Sequence, residues 1–175
     1  MTRHVIVAHD ADLDSVWQFY VDVCNHQAVD PYTPLWTLDV YPSKEVIAEH
    51  IENGDLYLFT DDKRPIAAMA LVPHDDPEYA EVPWPSKATG EEACSAHLLA
   101  VHPDVRGQGI GRELVREAIR LARAWDKRAI HLDVVPSNLS AKSMYLAEGF
   151  SFVCSWEIWY EDTGTMDFDM YELAL

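Results

Sequence analysis

The chain has 175 residues, 49% of them hydrophobic, with six Trp and eight Tyr, which gives one folded domain over 1–175 and excludes a disordered chain. A formal net charge of −17 makes nucleic acid and anionic membranes poor partners. The N-terminus carries no basic, long apolar leader, and Cys24, Cys94 and Cys154 form no C-x-x-C pair, so the expectation is a cytoplasmic protein with three reduced thiols and no metal.

Residues 4–8 read as a first strand. Asp12 or a neighbour then caps a helix to about Asn25, with Val16, Phe19, Tyr20 and Val23 on one face. A loop over 26–42 holds Pro31, Pro34 and Pro42 among Tyr32, Trp36 and Tyr41. Ser43 caps a second helix, 44–53, which Gly54 ends. Strands over 55–60 and 65–72 form a hairpin without a turn glycine, which leaves its turn type open. Residues 73–93 hold four prolines and six acids, and so read as a lid, a partly ordered acidic insertion or a solvated tether. A central strand over 94–102 precedes a Gly-rich loop. The helix after that loop aligns Ile110, Leu114, Ala118, Leu121, Ala122 and Trp125 at 3.6-residue spacing. A strand over 129–135, a helix from Asn138 to about Glu148, and strands over 150–160 and 166–174 complete the chain.

The Gly-rich loop is the most informative stretch. Gly107, Gly109 and Gly111 alternate where the helix begins, so bare amides and the positive end of the helix dipole converge on one spot. Strand, glycine loop and helix start together make a phosphate cradle. A P-loop is excluded, because no Gly-Lys-Ser or Gly-Lys-Thr occurs. A dinucleotide fingerprint fits only its first two glycines: Arg112 stands at the third, and His102 to Arg106 separate strand from loop. Seven of the thirteen basic residues fall between Arg106 and Arg128 against three acids. Arg106 and Arg112 adjoin the cradle and suit a phosphate. Arg116, Arg120 and Arg123 suit either that or an ion-paired helix face, with pairs such as Glu113–Arg116 and Glu117–Arg120.

Arg106-Gly-Gln-Gly-Ile-Gly111 matches the R/Q-x-x-G-x-G/A signature, Leu99 to Pro103 precede it as a strand and turn, and Asn138 to Phe150 end in Tyr-x-x-x-Gly-Phe. On these residues the chain resembles the GCN5-related N-acetyltransferase (GNAT) superfamily. The close match covers about residues 97–153, and the remainder agrees in element order. The resemblance implies an acyl-CoA N-acyltransferase fold of the α/β class (an α+β mixed sheet) in the order β-α-α-β-β-β-α-β-α-β-β. It implies acetyl-CoA as co-substrate, direct transfer in a ternary complex, a small-molecule amine as acceptor, and a homodimer as an assembly open to the chain.

The resemblance also assigns roles. Backbone groups of Leu99, Ala100 and Val101 would bind the pantetheine arm and polarise the thioester carbonyl. Amides of Arg106, Gly107, Gln108, Gly109, Ile110 and Gly111, with Arg112 adjoining, would hold the pyrophosphate. Asn138 would contact the pantetheine, and Tyr145 would protonate the leaving thiolate. A phenol with a pKa of about 10 can protonate a thiolate whose acid has one of about 8.5. His97 lies two and four residues before Leu99 and Val101, which even spacing places on their strand face. It is a candidate base or a pocket wall, with Glu91, Glu92 and Asp133 as rivals and His102 as support for the turn. Tyr32, Trp36, Asp39 and Tyr41 are the candidate acceptor-binding residues, since aromatic faces and a carboxylate suit a cationic amine. The alternatives are an acyl-CoA-binding sensor or regulatory protein on the same fold, which would not turn over, and an NAD-dependent enzyme.

Overall fold

The computed structural model describes residues 5–30, 33–160 and 164–175. Its elements run β1 (Val5–Val7), α1 (Leu13–His26), α2 (Lys44–Asn53), β2 (Leu56–Asp61), β3 (Arg64–Val72), β4 (Ala93–Val101), α3 (Ile110–Ala124), β5 (Ala129–Val134), α4 (Leu139–Ala147), β6 (Ser151–Tyr160) and β7 (Gly164–Ala174). This is the order expected from the sequence. The strands form one sheet, β1-β2-β3-β4-β5-β7-β6. Every neighbouring pair is antiparallel except β4 and β5.

Local chemistry explains the element ends. The Ser43 hydroxyl accepts from the Val46 amide at 3.1 Å and caps α2, and Gly54 closes that helix with φ of +73°. The β2–β3 turn places Asp62 and Lys63 at φ of +47° and +68°. Two successive left-handed residues make a tight hairpin of the I′ kind, here without glycine.

Helices cover both faces of the sheet. On one, Val16, Phe19, Tyr20 and Val23 of α1 and Ile47 and Ile51 of α2 pack on Leu56, Leu58, Ala68, Ala70, Leu98 and Ala100. On the other, Ile110, Leu114, Ala118 and Ala122 of α3 pack on Met69, Cys94, Ile130 and Leu132. Each fully buried Leu or Ile contributes about 1.5–3 kcal/mol. A third cluster joins Tyr79, Val82 and Trp84 to Ile158, Phe168 and Met170 of the last hairpin.

That third cluster corrects the reading of 73–93. Residues 73–92 are neither a tether nor a loose lid but a packed strap. Asp75, Tyr79, Val82, Trp84 and Ala88 are buried. The Asp75 amide bonds the Gly90 carbonyl at 2.9 Å, closing the base of the strap. Asp75 also bonds Nδ1 of fully buried His131 at 2.8 Å, and Glu172 meets Nε2 at 3.2 Å. Trp84 stacks flat on the same imidazole at 3.7 Å. Composition marked the segment as polar, but its three large side chains needed burial, and a buried His between two acids supplies the anchor.

Candidate active site

β4 and β5 pair only over Ala93–Ser95 with Ala129–His131. Beyond that point they part, and the β4 backbone from Ala96 onward has no strand partner on that side among the described residues. Two cavities open at this gap. A groove of about 460 Å3 is lined by Leu99–Val101, Arg106, Gly107, Gly109–Arg112, Asn138 and Met144. A cavity of about 620 Å3 is lined by Trp36, Tyr41, Asp76, His97, Asp133, Tyr145, Tyr160 and Phe168, among others. Pro34, Trp36, Leu99, Asn138 and Ala141 border both.

The groove is the predicted cradle. Gly107 and Gly109 have φ of +76° and +78°, and an added Cβ at either would meet no atom within 4 Å. The backbone bends in the left-handed region and leaves open space where a side chain would stand. The first helical bond of α3 runs from the Glu113 amide to the Gly109 carbonyl, so the amides of Ile110, Gly111 and Arg112 precede it. Gly111 serves packing: a Cβ there would stand 2.9 Å from Met144 Sδ on α4. Asn138 caps α4, its side chain accepting from the Ala141 amide at 3.1 Å. These features suit an elongated ligand with a pyrophosphate at the helix start.

Arg106 and Arg112 line the groove and also make ion pairs with protein carboxylates. Arg106 reaches Asp30 and donates from Nε to the Val101 carbonyl at 3.2 Å. Arg112 and Arg116 both bond Glu148, at 2.6 and 2.8 Å, and hold its carboxyl below the ordinary range. Arg120 pairs with Glu117, as the helix spacing predicts. Gln108 lies in the loop without lining either cavity.

The cavity carries groups for proton transfer. Tyr145 is buried, with Phe150 and Tyr171 rings at 5.5 and 6.4 Å. Burial raises its pKa, with the negative field of Asp133 adding to the effect, so it holds its proton. His97 Nε2 lies 3.4 Å from Asp76 Oδ2. The buried Tyr79 hydroxyl donates to Asp133. Burial pushes the Asp133 carboxyl up, while His97 and the Tyr79 hydroxyl oppose that rise.

The face of His97 is a correction. Ala68 pairs with Ala100 and Ala70 with His97, so Leu98 and Leu99 together oppose Met69. This is a bulge, with Leu98 at φ of +56° and its carbonyl accepting from the Tyr20 hydroxyl at 2.8 Å. The extra residue shifts the alternation. His97 shares the α1–α2 face with Ala100, while Leu99 and Val101 face α3. Even spacing fails because an alternating rule cannot register an inserted residue.

Trp36 and Tyr41 line the cavity, 6.3 Å apart edge to face. Asp39 does not: it sits in a turn at φ of +67°, its amide on the Pro42 carbonyl. Tyr32 lies outside the described residues. Glu91 and Glu92 face Lys127 and Arg128 away from the cavity. His102 supports its turn by accepting the Asp104 amide at 3.2 Å. Sequence reasoning missed Asp76, Tyr79 and Tyr160; for the first two the available signal was aromatic residues inside an acidic segment, and for Tyr160, at the end of β6, there was none.

Comparison with known proteins agrees with this geometry. The Acetyltransferase (GNAT) family profile matches residues 13–150. A GNAT-family acetyltransferase from Streptococcus agalactiae superposes with a TM-score of 0.79 at 15% identity, over 99% of this chain and 95% of that one. yncA of Salmonella typhimurium, solved with its cofactor acetyl-CoA, gives 0.70 at 15% identity, over 100% of this chain and 95% of that one. At these identities the likeness shows the fold. An uncharacterized N-acetyltransferase of Methanocaldococcus jannaschii is 36% identical over 67 residues, 38% of this chain and 30% of that protein. An uncharacterized Mycobacterium leprae protein is 25% identical, over 67% of this chain and 42% of its own length. The chain thus spans less than half the length of these curated relatives. A glycine cradle at a split between parallel strands, on this sheet order and under this profile, makes the chain a member of the GNAT family of acetyltransferases.

Proposed function

We propose that the chain transfers an acetyl group from acetyl-CoA to a primary amine of a small cationic acceptor, directly, in a ternary complex. One observation carries this reading. The cradle groove runs into a cavity whose lining holds Glu49, Asp55, Asp76 and Asp133 and, among the described residues, no Lys or Arg. Carboxylates beside the faces of Trp36 and Tyr41 favour an ammonium group.

Acetyl-CoA supplies an acetyl thioester. The loop amides of Gly107 and of Gly109 to Arg112 hold its pyrophosphate, and Asn138 with the β4 edge at Leu99–Val101, where β5 has parted from it, holds its arm. The β4 amides also polarise the carbonyl as negative charge grows on oxygen. Asp133, with His97 beside it, takes one proton from the acceptor ammonium, freeing the nitrogen lone pair. The C–N bond forms and the C–S bond breaks. Tyr145 gives its proton to the departing sulfur and recovers one as the amide nitrogen loses its second proton.

Calorimetric titration with acetyl-CoA, CoA and NAD tests the donor, and thiol release with a panel of amines tests turnover. Acetyl-CoA binding with turnover is expected. Binding without turnover on any amine would favour a sensor, and NAD binding would return the cradle to a dinucleotide.

A further inference from the structure

We infer that Tyr79 is a positioning residue for the acceptor side of the site, its hydroxyl fixing the Asp133 carboxylate, and that the 73–92 strap delivers it there. The inference rests on the acetyl-transfer reading only where it concerns rate.

The sheet sets the geometry. Ser95 and His131 are the last pair between β4 and β5, and His97 and Asp133 lie two residues beyond them, one on each side of the gap. His131 and Asp133 therefore point to the same face of β5. The strap grips both. Asp75 and Trp84 hold His131, and Tyr79 donates to Asp133 Oδ1. Anchor and Asp133 thus stand two residues apart on the one strand β5. Trp84 adds a brace, its indole N–H donating to the Tyr79 carbonyl at 3.1 Å. Tyr79 is fully buried and its ring lies 6.0 Å from His97.

A buried phenol must find a partner for its hydroxyl, and here that partner is a carboxylate in the cavity wall. The groups acting on Asp133 are His97 from β4 and Asp76 and Tyr79 from the strap, while Tyr160 from β6, Tyr41 from the 33–41 connection and Tyr145 from α4 are neutral phenols that its charge holds protonated. A hydrogen bond donated to a carboxylate favours its ionised form, and neighbouring acids disfavour it. Removing the Tyr79 hydroxyl therefore moves Asp133 titration to higher pH.

The test is carboxyl 13C NMR titration of the full chain, with the Asp133 signal assigned by its loss in Asp133→Asn. In Tyr79→Phe the midpoint should rise by about one pH unit. The acid limb of kcat/KM for the amine should move with it, while acetyl-CoA affinity by calorimetry stays within about twofold. Incorporating 3-fluorotyrosine at position 79 strengthens the donor and should move the midpoint to lower pH, which provides a second reading if Tyr79→Phe does not fold. A midpoint unmoved by either change overturns the inference whether or not turnover is seen. A midpoint that moves while the acid limb stays put overturns the positioning role. Failure of the wild-type chain to bind acetyl-CoA overturns the acetyl-transfer reading instead and leaves the NMR result standing.

Discussion

Two side chains of the cavity hold protons more tightly than usual, with opposite consequences. Burial keeps the Tyr145 phenol protonated at neutral pH and makes it a weaker acid than a free phenol, so in the proposed reaction it delivers its proton only as negative charge builds on the departing sulfur. Tyr145→Phe should lower kcat by about 100-fold while the acetyl-CoA Kd stays within about twofold, read by steady-state kinetics beside calorimetry. Asp133, the base of the proposed mechanism, has a carboxyl that burial pushes up. For an acid, a raised folded-state pKa means that the folded chain binds the proton more tightly than the unfolded one. Stability from this group is therefore present at low pH and lost as pH rises from the ordinary carboxylate range through the folded value. Asp133→Asn removes that loss. It should raise Tm at neutral pH, with the gain vanishing towards pH 4, while activity falls. Thermal melts at several pH values check the first effect, and a Tm below wild type at pH 7 would contradict the burial argument.

Among the elements, the strap shows where local rules stop. His131 stands in β5 between Asp75 and Glu172 with no exposed surface. His131→Ala would leave two buried acids facing an empty site, and should cost about 3–5 kcal/mol in urea unfolding. The helices and hairpins were legible because their signals are local: Ser43 and Asn138 as caps, Gly54 after α2, and the 3.6-residue stripe on α3. The cradle was legible because Gly107 and Gly109 stand where a bend needs them. The Leu98 bulge was not, because it is held from 78 residues away by Tyr20. The partners of Arg112 and Arg116 were hidden for the same reason, since Glu148 comes from another helix. Tyr79 and Asp133 lie 54 residues apart, and no spacing rule joins them.

For the molecule as a whole, charge is the dominant long-range property. The net −17 includes one segment, 106–128, that is +4 in itself, with seven bases against three acids. Field lines of the net negative sign draw a cationic amine from a distance and repel a polyanionic donor, and salt screens both effects. kcat/KM for a cationic amine should fall several-fold between about 0.02 and 0.5 M salt, a range over which the Debye length drops well below protein dimensions. An uncharged acceptor analogue should show little change. Stopped-flow or initial-rate measurements across that range decide it, and a flat profile for the cation would remove steering from the account.

The close contact of Gly111 with Met144 also has a consequence for how such a protein can change over time. It ties the start of α3 to α4, and α4 is led by Asn138 and carries Tyr145. The glycine loop of the groove and Tyr145 of the cavity therefore ride on one packed block, in which a shift of either helix disturbs both. Part of the cavity wall comes from two other connections, 33–41 and 73–92, the first of which also borders the groove at Pro34 and Trp36. Exchange of those two segments would reshape that wall and leave the glycine loop, α3 and α4 unaltered, so the cavity can change while the groove does not.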